Sequence, residues 1–410
     1  MASEIGWLPD CVYTGDTFES GLAFFADGLG RIARFSREPV DLAAARRLSG
    51  QAALPGLVNA HSHAFHRILR GRVARRARTP GAASAWGEAA VRAAGRLSGE
   101  DVYDTARLAF LEMVLAGITC VGEFHPPSLH ASEVLRAAHD VGIRIALLQA
   151  AGAEAGRFLT EAETLRQALG GTYAEDAVWL GVGIGNVQAI SADGLKAIAA
   201  YAHSQRMRLH AQVGERTPLA PVVALAELGV LGKRFTAVHA GELSDPEIAL
   251  LGSAKATVCA CPESERAWGE SPAPLERLAA AGAALCLGTD RLVRADLLAD
   301  ARSLPLAAFP PAPAAGLFRA ASVTGARSLG APGGSLEVGR PADFFTVNLF
   351  DPSMAGADEA ALLEHVLFSL ERRAIRDVWI GARQRTANGR HPEQGAIVGR
   401  FVDLQKRFWA

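Results

Sequence analysis

The sequence has few features that would place the protein on a membrane or on a nucleic acid. No uninterrupted apolar run among its 410 residues approaches the roughly 18 residues that a membrane-spanning helix requires. Lysine and arginine together number 42 and aspartate and glutamate 43, so the formal net charge is -1. Such a balance provides no broad charged surface for nucleic acid or an anionic membrane. We therefore expect neither partner, and instead a small-molecule substrate in a local site.

Cysteine is also scarce, and its five positions follow no disulfide pattern. They are Cys11, Cys120, Cys259, Cys261 and Cys286. The C-x-C pair is compatible with half of a metal site, but the surrounding "ATVCACPES" favours a buried strand with small apolar cysteines. The first segment, "MASEIGWLPDCVYTGD", has no apolar stretch typical of a secretory signal. These features predict a protein of the reducing cytoplasm.

The middle of the chain alternates short apolar segments with Ala-, Leu- and Arg-rich segments typical of helices. The candidate strands are residues 53–61, 117–124, 144–152, 179–185, 208–214, 235–241, 256–262 and 284–290. Strands that alternate with helices predict a parallel sheet, and eight of them predict a closed barrel. We therefore predict an α/β fold, a (β/α)8 TIM-type barrel over residues 53–340, with its chemistry at the C-terminal ends of the strands.

The two ends of the chain differ from this middle part. Both carry short extended segments, such as "GLAFFADG" near the start and "ADFFTVNLF" near the end. Such segments can pair into one unit although they are far apart in the chain. We predict a small flanking β-sandwich domain built from residues 1–52 and 341–410.

The segment "LPGLVNAHSHAFHR" is the strongest local signal of chemistry. Its apolar strand runs into His61 and His63, and residues two apart on a strand point to the same side. Two imidazoles at the C-terminal end of the first barrel strand are placed to chelate one metal ion. A structural role is common for a lone histidine, but this spacing and place favour a metal or catalytic role.

The same segment resembles the first-strand signature of the amidohydrolase superfamily. Within it, the chain is most similar to the formiminoglutamate deiminases, through "HSHAF", "EFH", "CPESERAWGESPAP" and "GTD". The tail "GSLEVGRPADFFTV" resembles the superfamily's return to its flanking sheet. The resemblance spans nearly the whole chain. It implies hydrolysis of a C–N bond, one divalent metal ion, usually zinc, and a homodimer.

The resemblance also implies roles for individual residues. The family holds its metal with the first-strand histidine pair, a fifth-strand histidine and an eighth-strand aspartate, and His61, His63 and Asp290 match. A metal lowers the pKa of a bound water to about 7, and Asp290 would orient this water and accept its proton. His239 matches the sixth-strand histidine that assists proton transfer or polarises the substrate. Glu215 matches the fifth-strand glutamate that moves a proton between substrate nitrogens.

The fifth strand, "RLHAQVGER", departs from the family pattern. Gln212 stands where the second histidine, the metal ligand, is expected, and a neutral amide is a weak zinc ligand beside imidazole. Three interpretations are open. His210, one pleat away on the same strand face, reaches the metal after a small shift; or Gln212 ligates weakly; or zinc is absent and the remaining residues serve another purpose.

Further departures concern the substrate. The candidate substrate-binding residues are His66, His125, Gln188 and Arg291, and three of them replace residues of the family pattern. His66 stands for a glutamine and Gln188 for the arginine that clamps a substrate carboxylate. Glutamine cannot replace a bidentate arginine at equal strength, so formiminoglutamate is not the expected substrate. Arg291, next to Asp290, is the candidate for a new anion contact.

The sequence thus leads to two hypotheses. The first is a metal-dependent hydrolase of a non-peptide C–N bond, a deaminase or iminohydrolase acting on an amidine-like or amino-heterocyclic small molecule. The alternative is a repurposed barrel with weak or no metal that performs non-hydrolytic acid/base chemistry or only binds a ligand. The barrel fold alone does not choose between them.

Overall fold

The computed structural model of the chain describes residues 4–72, 82–127, 129–174, 176–214, 220–291, 294–310 and 313–410. Its strands are β1 Ile5–Tyr13, β2 Phe18–Ser20, β3 Ala23–Ala26, β4 Ile32–Ser36, β5 Arg46–Pro55, β6 Leu57–Ser62, β7 Ile118–His125, β8 Arg144–Ala151, β9 Val178–Ile184, β10 Leu209–Gln212, β11 Phe235–Val238, β12 Thr257–Ala260, β13 Ala284–Leu287, β14 Phe344–Asn348, β15 Ile375–Ile380 and β16 Arg383–Thr386. Its α-helices are α1 Pro39–Ala44, α2 Ala82–Ala94, α3 Gly99–Val114, α4 Ala131–Val141, α5 Ala155–Leu169, α6 Ala192–Ser204, α7 Pro221–Glu227, α8 Asp245–Ser253, α9 Pro262–Trp268, α10 Leu275–Ala281, α11 Leu297–Arg302, α12 Pro313–Arg319, α13 Gly325–Leu329, α14 Leu362–Phe368 and α15 Gln394–Trp409.

The barrel consists of β6 to β13, which pair in chain order as parallel neighbours. The two end strands meet just beyond β13. There the backbone N–H groups of Thr289 and Asp290 both donate to the carbonyl of His61 at 2.9 Å, and His63 N–H donates to the Asp290 carbonyl at 3.0 Å. These bonds bring the eighth strand end against the first. The predicted (β/α)8 fold is confirmed.

The local sequence explains how the barrel helices begin and end. Helix α3 begins with a capping box, in which Ser98 and Asp101 satisfy each other's backbone N–H groups. Helix α4 ends at Gly142, which has a φ of +80°, a left-handed conformation that glycine adopts without steric cost. Such ends allow each helix to turn directly into the next strand.

Two clusters of buried side chains lie along the barrel strands. One contains Val58, Phe124 and Leu148, and helix α13 packs on it through Leu329. The other consists of small side chains and contains Ala60, Val238, Cys259, Cys261 and Cys286. All five cysteines of the chain are buried and free of disulfides.

A β-bulge in β6 changes the direction of the side chains at the end of this strand. Asn59 pairs with Val121 and Ser62 pairs with Glu123, so three steps on β6 oppose two on β7. Before the bulge, Asn59 points outward and donates to the Thr289 hydroxyl at 2.7 Å. A bulge shifts the alternation of side chains, which places His61 on the inner side of the barrel.

The flanking strands form one sheet, ordered β16-β15-β14-β5-β1-β3-β4, with β2 paired to β1. Both ends of the chain therefore contribute to it, as predicted. Its core is aromatic, and Phe344 stacks on Trp379 with centroids 4.5 Å apart. The buried ion pair between Arg144 of β8 and Asp343, at 2.7 Å, joins this sheet to the barrel.

The last helix does not belong to this sheet. Phe401, Leu404 and Phe408 on α15 join the apolar cluster that surrounds the barrel, and Gln405 donates to the Ile68 carbonyl at 2.9 Å. The structure thus places the end of the predicted flanking segment 341–410 against the barrel. Among the described residues, no helix combines the length and the apolar character that crossing a membrane requires.

Candidate metal and catalytic centre

Three of the predicted metal ligands converge at the C-terminal end of the barrel. Nε2 of His61 lies 3.6 Å from Oδ1 of Asp290, and Nε2 of His63 lies 3.4 Å from the same oxygen. All three side chains are buried. In the sequence Asp290 lies more than 220 positions after the two histidines, and barrel closure brings it to them.

The fifth strand contributes Gln212 to this cluster. Its Nε2 lies 3.4 Å from Nε2 of His61, and a half-turn of the terminal amide would present Oε1 at the same place. His210 instead lies deeper in the barrel, where its Nε2 donates to the Ser328 carbonyl of α13 at 3.1 Å. Of the two alternatives for the fifth-strand ligand, the structure brings Gln212 to the cluster.

Several of these donor atoms are spaced as the ligands of a metal ion are. Four ligands at about 2.1 Å from zinc in a tetrahedron lie about 3.4 Å from one another. Three separations are close to this edge: Oδ1 of Asp290 lies 3.6 and 3.4 Å from Nε2 of His61 and His63, and Nε2 of Gln212 lies 3.4 Å from Nε2 of His61. Among the described residues, the ligand atoms of His61, His239 and Asp290 all lie within 4.8 Å of one another. Nδ1 of both histidines is buried without a hydrogen-bond partner among the described residues. The donor types therefore suit a metal held by imidazoles and the Asp290 carboxylate, with the Gln212 amide beside His61.

The second oxygen of Asp290 faces a different set of groups. Its Oδ2 accepts a hydrogen bond from the Ser264 hydroxyl at 2.7 Å and lies 3.9 Å from Nε2 of His239. Asp290 and His239 both have positive φ, +42° and +69°. Non-glycine residues in this region cost free energy and concentrate at functional sites. The carboxylate thus has one side toward the histidine pair and one toward proton donors.

Helix α9 carries two residues of the centre, because it begins directly after β12. Ser264 bonds Asp290, and the buried Glu265 lies with Oε1 at 3.4 Å from Nδ1 of His239. The same Oε1 accepts from the backbone N–H of Cys261 at 2.8 Å. Glu265 therefore holds the ring of His239 from the side opposite Asp290. His239, Cys261 and Glu265 also form a second group whose ligand atoms lie within 4.8 Å of one another.

The pKa directions follow from burial and charge. Burial would raise the pKa of Asp290, but Arg291, His239 and His61 together lower it well below its ordinary value. Burial lowers the pKa of His61 despite the nearby carboxylate. Burial would likewise lower the pKa of His239, but Asp290 and Glu265 raise it. The centre holds an ionised carboxylate among imidazoles.

An aromatic wall borders the centre. His66 stacks on His63 with ring centroids 4.7 Å apart and contacts Trp86 edge-on at 5.6 Å. Trp86 in turn lies 4.5 Å from Trp268 of α9, and Phe124 packs against both metal-site histidines at 5.3 Å. Among the described residues, neither indole N–H has a hydrogen-bond partner. The wall thus combines flat apolar rings with two unused donors.

Arg291 lies at this wall with its charge already balanced. Its Nη1 donates to Oε1 of Glu270 at 2.6 Å, and its Nε lies 3.6 Å from Asp290. Its guanidinium sits 5.5 Å from the ring centroid of Trp268. Two carboxylates therefore neutralise this arginine before any substrate anion arrives, which the sequence pattern did not indicate.

The remaining predicted residues have different positions. His125 is buried, and its Nε2 is hydrogen-bonded to the Leu129 carbonyl, which is a structural arrangement. Gln188 is exposed in a short 3-10 turn just after β9, at the same barrel end as Asp290. Glu215 lies outside the described residues, so its role stays a prediction.

Several residues of the site were not singled out from the sequence. They are Ser264, Glu265, Glu270, Trp86, Trp268 and Phe124. The acidic segment "CPESERAWGE" was a usable signal, because it follows the seventh strand at the end where barrel chemistry occurs. Trp86 lies on a helix between the first two barrel strands, and nothing in its local sequence indicates the site.

Comparisons with known proteins agree with this geometry. A family model described as "Amidohydrolase family" matches residues 52–390. Formimidoylglutamate deiminase of Pseudomonas aeruginosa is 28% identical, and the match covers 88% of this chain and 90% of that protein. A 5'-deoxyadenosine deaminase of Methanoregula boonei is 30% identical over 76% of this chain and 75% of its own length.

A solved structure extends the likeness to the whole fold. The adenosine deaminase of Xanthomonas campestris, crystallised with bound zinc, superposes with a TM-score of 0.87 and 21% identity. The superposition covers 98% of this chain and 98% of that one. At this identity the likeness establishes the shared fold.

Proposed function

Because this chain belongs to the amidohydrolase family, we propose that it is a metal-dependent hydrolase that releases ammonia from a small amidine-like or amino-heterocyclic molecule. The deaminase relatives support an enzyme that acts on a non-peptide C–N bond. The proposal includes the cytoplasm as location, a homodimer as assembly, and iminohydrolase or deaminase chemistry as the specific reaction.

The observation that carries the proposal is the two-sided setting of Asp290. Its Oδ1 faces the histidine pair at 3.4 and 3.6 Å, while its Oδ2 faces Ser264 at 2.7 Å and His239 at 3.9 Å. One oxygen can therefore serve as a ligand while the other accepts a proton. This division is what hydrolysis of a C–N bond by an activated water needs.

We propose that His61, His63, Asp290 and Gln212 hold one zinc ion. Zinc bound at such a centre supplies Lewis acidity and makes water a better nucleophile near neutral pH. The zinc in the Xanthomonas campestris structure and the donor spacing in this chain support the choice of metal.

In this proposal side chains of the protein accept and donate the protons of the reaction. Oδ2 of Asp290 accepts the proton of the attacking water, and the Ser264 hydroxyl keeps that oxygen in place. Nε2 of His239 lies on the open side of Asp290, where it can donate to the substrate nitrogen. In this proposal Glu215 delivers the proton with which ammonia leaves.

Glu265 would act as a positioning residue through His239. Because Oε1 lies 3.4 Å from Nδ1, the ring is held with Nδ1 protonated and Nε2 turned toward Asp290. Outer partners of this kind affect activity about ten- to a hundredfold. We expect Glu265→Gln to lower kcat by about that factor, with little change in KM or in metal content.

The matched control for Glu265→Gln is Glu263→Gln on the same helix, whose carboxylate pairs with the exposed Arg266 and Arg294. This control should retain full kcat. Nitrogen-15 NMR of labelled histidines gives a readout independent of turnover, since the tautomer of His239 should change only in Glu265→Gln. An unchanged tautomer and kcat in that variant would remove the positioning role.

The site favours a substrate without a carboxylate. The one guanidinium described at the wall, that of Arg291, is paired with Glu270 and Asp290. The two unused indole N–H groups of Trp86 and Trp268 suit neutral acceptors such as ring nitrogens or carbonyls. We therefore propose a planar neutral or cationic amine, amidine or amino-heterocycle.

Ammonia release from a substrate panel tests the function. The panel contains simple amidines, aminopyrimidines, adenosine, 5'-deoxyadenosine and N-formimidoyl-L-glutamate, each incubated with zinc-loaded enzyme. We expect turnover of at least one neutral or cationic compound and none of formimidoylglutamate. Preferential turnover of formimidoylglutamate would overturn the substrate class. No ammonia from any compound, with zinc bound, would count against the hydrolase.

One observation favours the alternative of a repurposed barrel. Gln212 places a neutral amide where the family has an imidazole, which weakens the affinity for zinc. A protein that binds the panel compounds in calorimetry but releases no ammonia would match ligand binding or non-hydrolytic acid/base chemistry. The histidines and Asp290 would then serve as acid and base without a metal.

A further inference from the structure

A second cavity lies at the opposite end of the barrel from Asp290. It has a volume of about 760 Å³, within the range of small-molecule sites. Its lining includes Trp179 at the start of β9, Arg208 just before β10 and Arg234 just before β11. Because these strands are parallel, the cavity faces the N-terminal ends of the strands. It is therefore separate from the proposed catalytic centre.

Some of the positive charges at this cavity are paired with carboxylates of the described residues. Asp176, the described acidic residue of the lining, is shared by Arg31 at 3.9 Å and Arg144 at 3.4 Å. Arg166 pairs with Glu163 at 2.6 Å. Glu175 lies outside the described residues. Arg31, Arg144 and Arg166 therefore have acidic partners.

Three further arginines have no acidic partner among the described residues. They are Arg206, Arg208 and Arg234, and all three line the cavity. Arg327, in the last turn of α13, adds a fourth positive charge close by, because it acts on Arg208 electrostatically. The lining thus carries an excess of positive charge that a bound anion would neutralise.

Arg208 is held in place before any ligand arrives. Its Nη1 donates to the Lys233 carbonyl at 3.2 Å, and the side chain packs on Gly330, where a Cβ atom would lie 3.2 Å from Nε. Burial, and then the charges of Arg234 and Arg327, lower the pKa of Arg208. Like charges this close oppose one another, so the arrangement costs stability unless something compensates it.

The geometry points to a site for a small molecule that carries a diphosphate group. Guanidinium groups bind phosphate oxygens in pairs of parallel hydrogen bonds. One phosphate monoester carries a charge of about −1.5 to −2, so three uncompensated arginines exceed one phosphate group and suit two. The half-buried rings of Tyr173 and Trp179 at the same cavity leave space for an organic part of the ligand.

Calorimetric titration with inorganic pyrophosphate and with ADP, at low salt, tests this site on the full-length protein. We expect micromolar binding of one or both, weakened at least tenfold in Arg208→Gln and in Arg234→Gln. Arg234 is exposed, so its replacement leaves the fold intact if that of the half-buried Arg208 does not. Arg92→Gln, an exposed residue of α2 paired with Glu88, is the matched control and should bind as the wild type does.

The outcomes separate this site from the proposed zinc centre, which also attracts anions. Binding that survives in His61→Ala and fails in Arg234→Gln supports the site at the N-terminal end. Binding that is lost in His61→Ala and kept in the arginine variants overturns it. Equal affinity for inorganic phosphate and pyrophosphate would overturn the diphosphate class, and no binding at millimolar concentration would remove the site.

Discussion

Asp290→Asn should lower the rate of ammonia release by at least about a thousandfold while the protein remains folded. The amide keeps the size and can still accept from Ser264, but it cannot accept the proton of an attacking water. Acid–base catalysis alone contributes about a hundred- to ten-thousand-fold. The variant also loses the anionic oxygen that faces His61 and His63 at 3.6 and 3.4 Å. Steady-state kinetics on the best panel substrate measures the effect.

Asp300→Asn is the matched control for this variant. Asp300 is equally buried, and burial raises the pKa of its carboxyl well above the ordinary value. Its Oδ1 accepts from the backbone N–H of Glu263, which an asparagine preserves. We expect activity within a few-fold of wild type. Comparable losses in Asp290→Asn and Asp300→Asn would indicate that buried aspartates act through stability, contrary to the proposed role of Asp290.

Gln212→His should strengthen zinc binding by about tenfold or more. Imidazole is a better zinc ligand than a neutral amide, and position 212 already lies 3.4 Å from Nε2 of His61. Elemental analysis and competition with a zinc chelator measure stoichiometry and affinity. The wild type should hold about one zinc per chain, and His61→Ala should lose it.

Gln384→His, on β16 of the flanking sheet, controls for the mere addition of a histidine and should leave zinc affinity unchanged. A wild type that binds no zinc, beside a Gln212→His variant that does, would contradict the metal-dependent hydrolase. That result would instead support a barrel whose metal site was lost with the fifth-strand imidazole.

Much of the fold was predictable from the sequence because it depends on local patterns. All eight predicted strand segments overlap a barrel strand, and the extended segments at both ends pair in one sheet. Alternating apolar strands and helices leave few other arrangements. The end of the chain was less predictable, since the apolar stripe of α15 does not say whether it packs on the barrel or on the sheet.

The site was predictable where spacing along one strand determines the geometry. The spacing of His61 and His63 marked the first strand end, although the bulge in β6 was not predictable, and the motif around Asp290 marked the eighth strand end. Glu265 and the pairing of Arg291 with Glu270 were not predictable, because these contacts join different strand ends and loops. The alternation of side chains along a strand predicts which residues share a face. It does not predict which groups on other strands and loops each side chain contacts.

The sequence by itself determined the barrel, the histidine pair and the replacement of a family histidine by Gln212. The barrel follows from the local alternation of strands and helices, and the other two features follow from short motifs. Only the tertiary structure decided that Gln212 stands beside His61 while His210 turns to the Ser328 carbonyl. Both residues lie on one face of β10, so their sequence pattern is the same. The two residues differ in their depth in the barrel. His210 lies deeper, where the Ser328 carbonyl of α13 accepts its hydrogen bond, and Gln212 lies at the C-terminal end of the strand, beside His61.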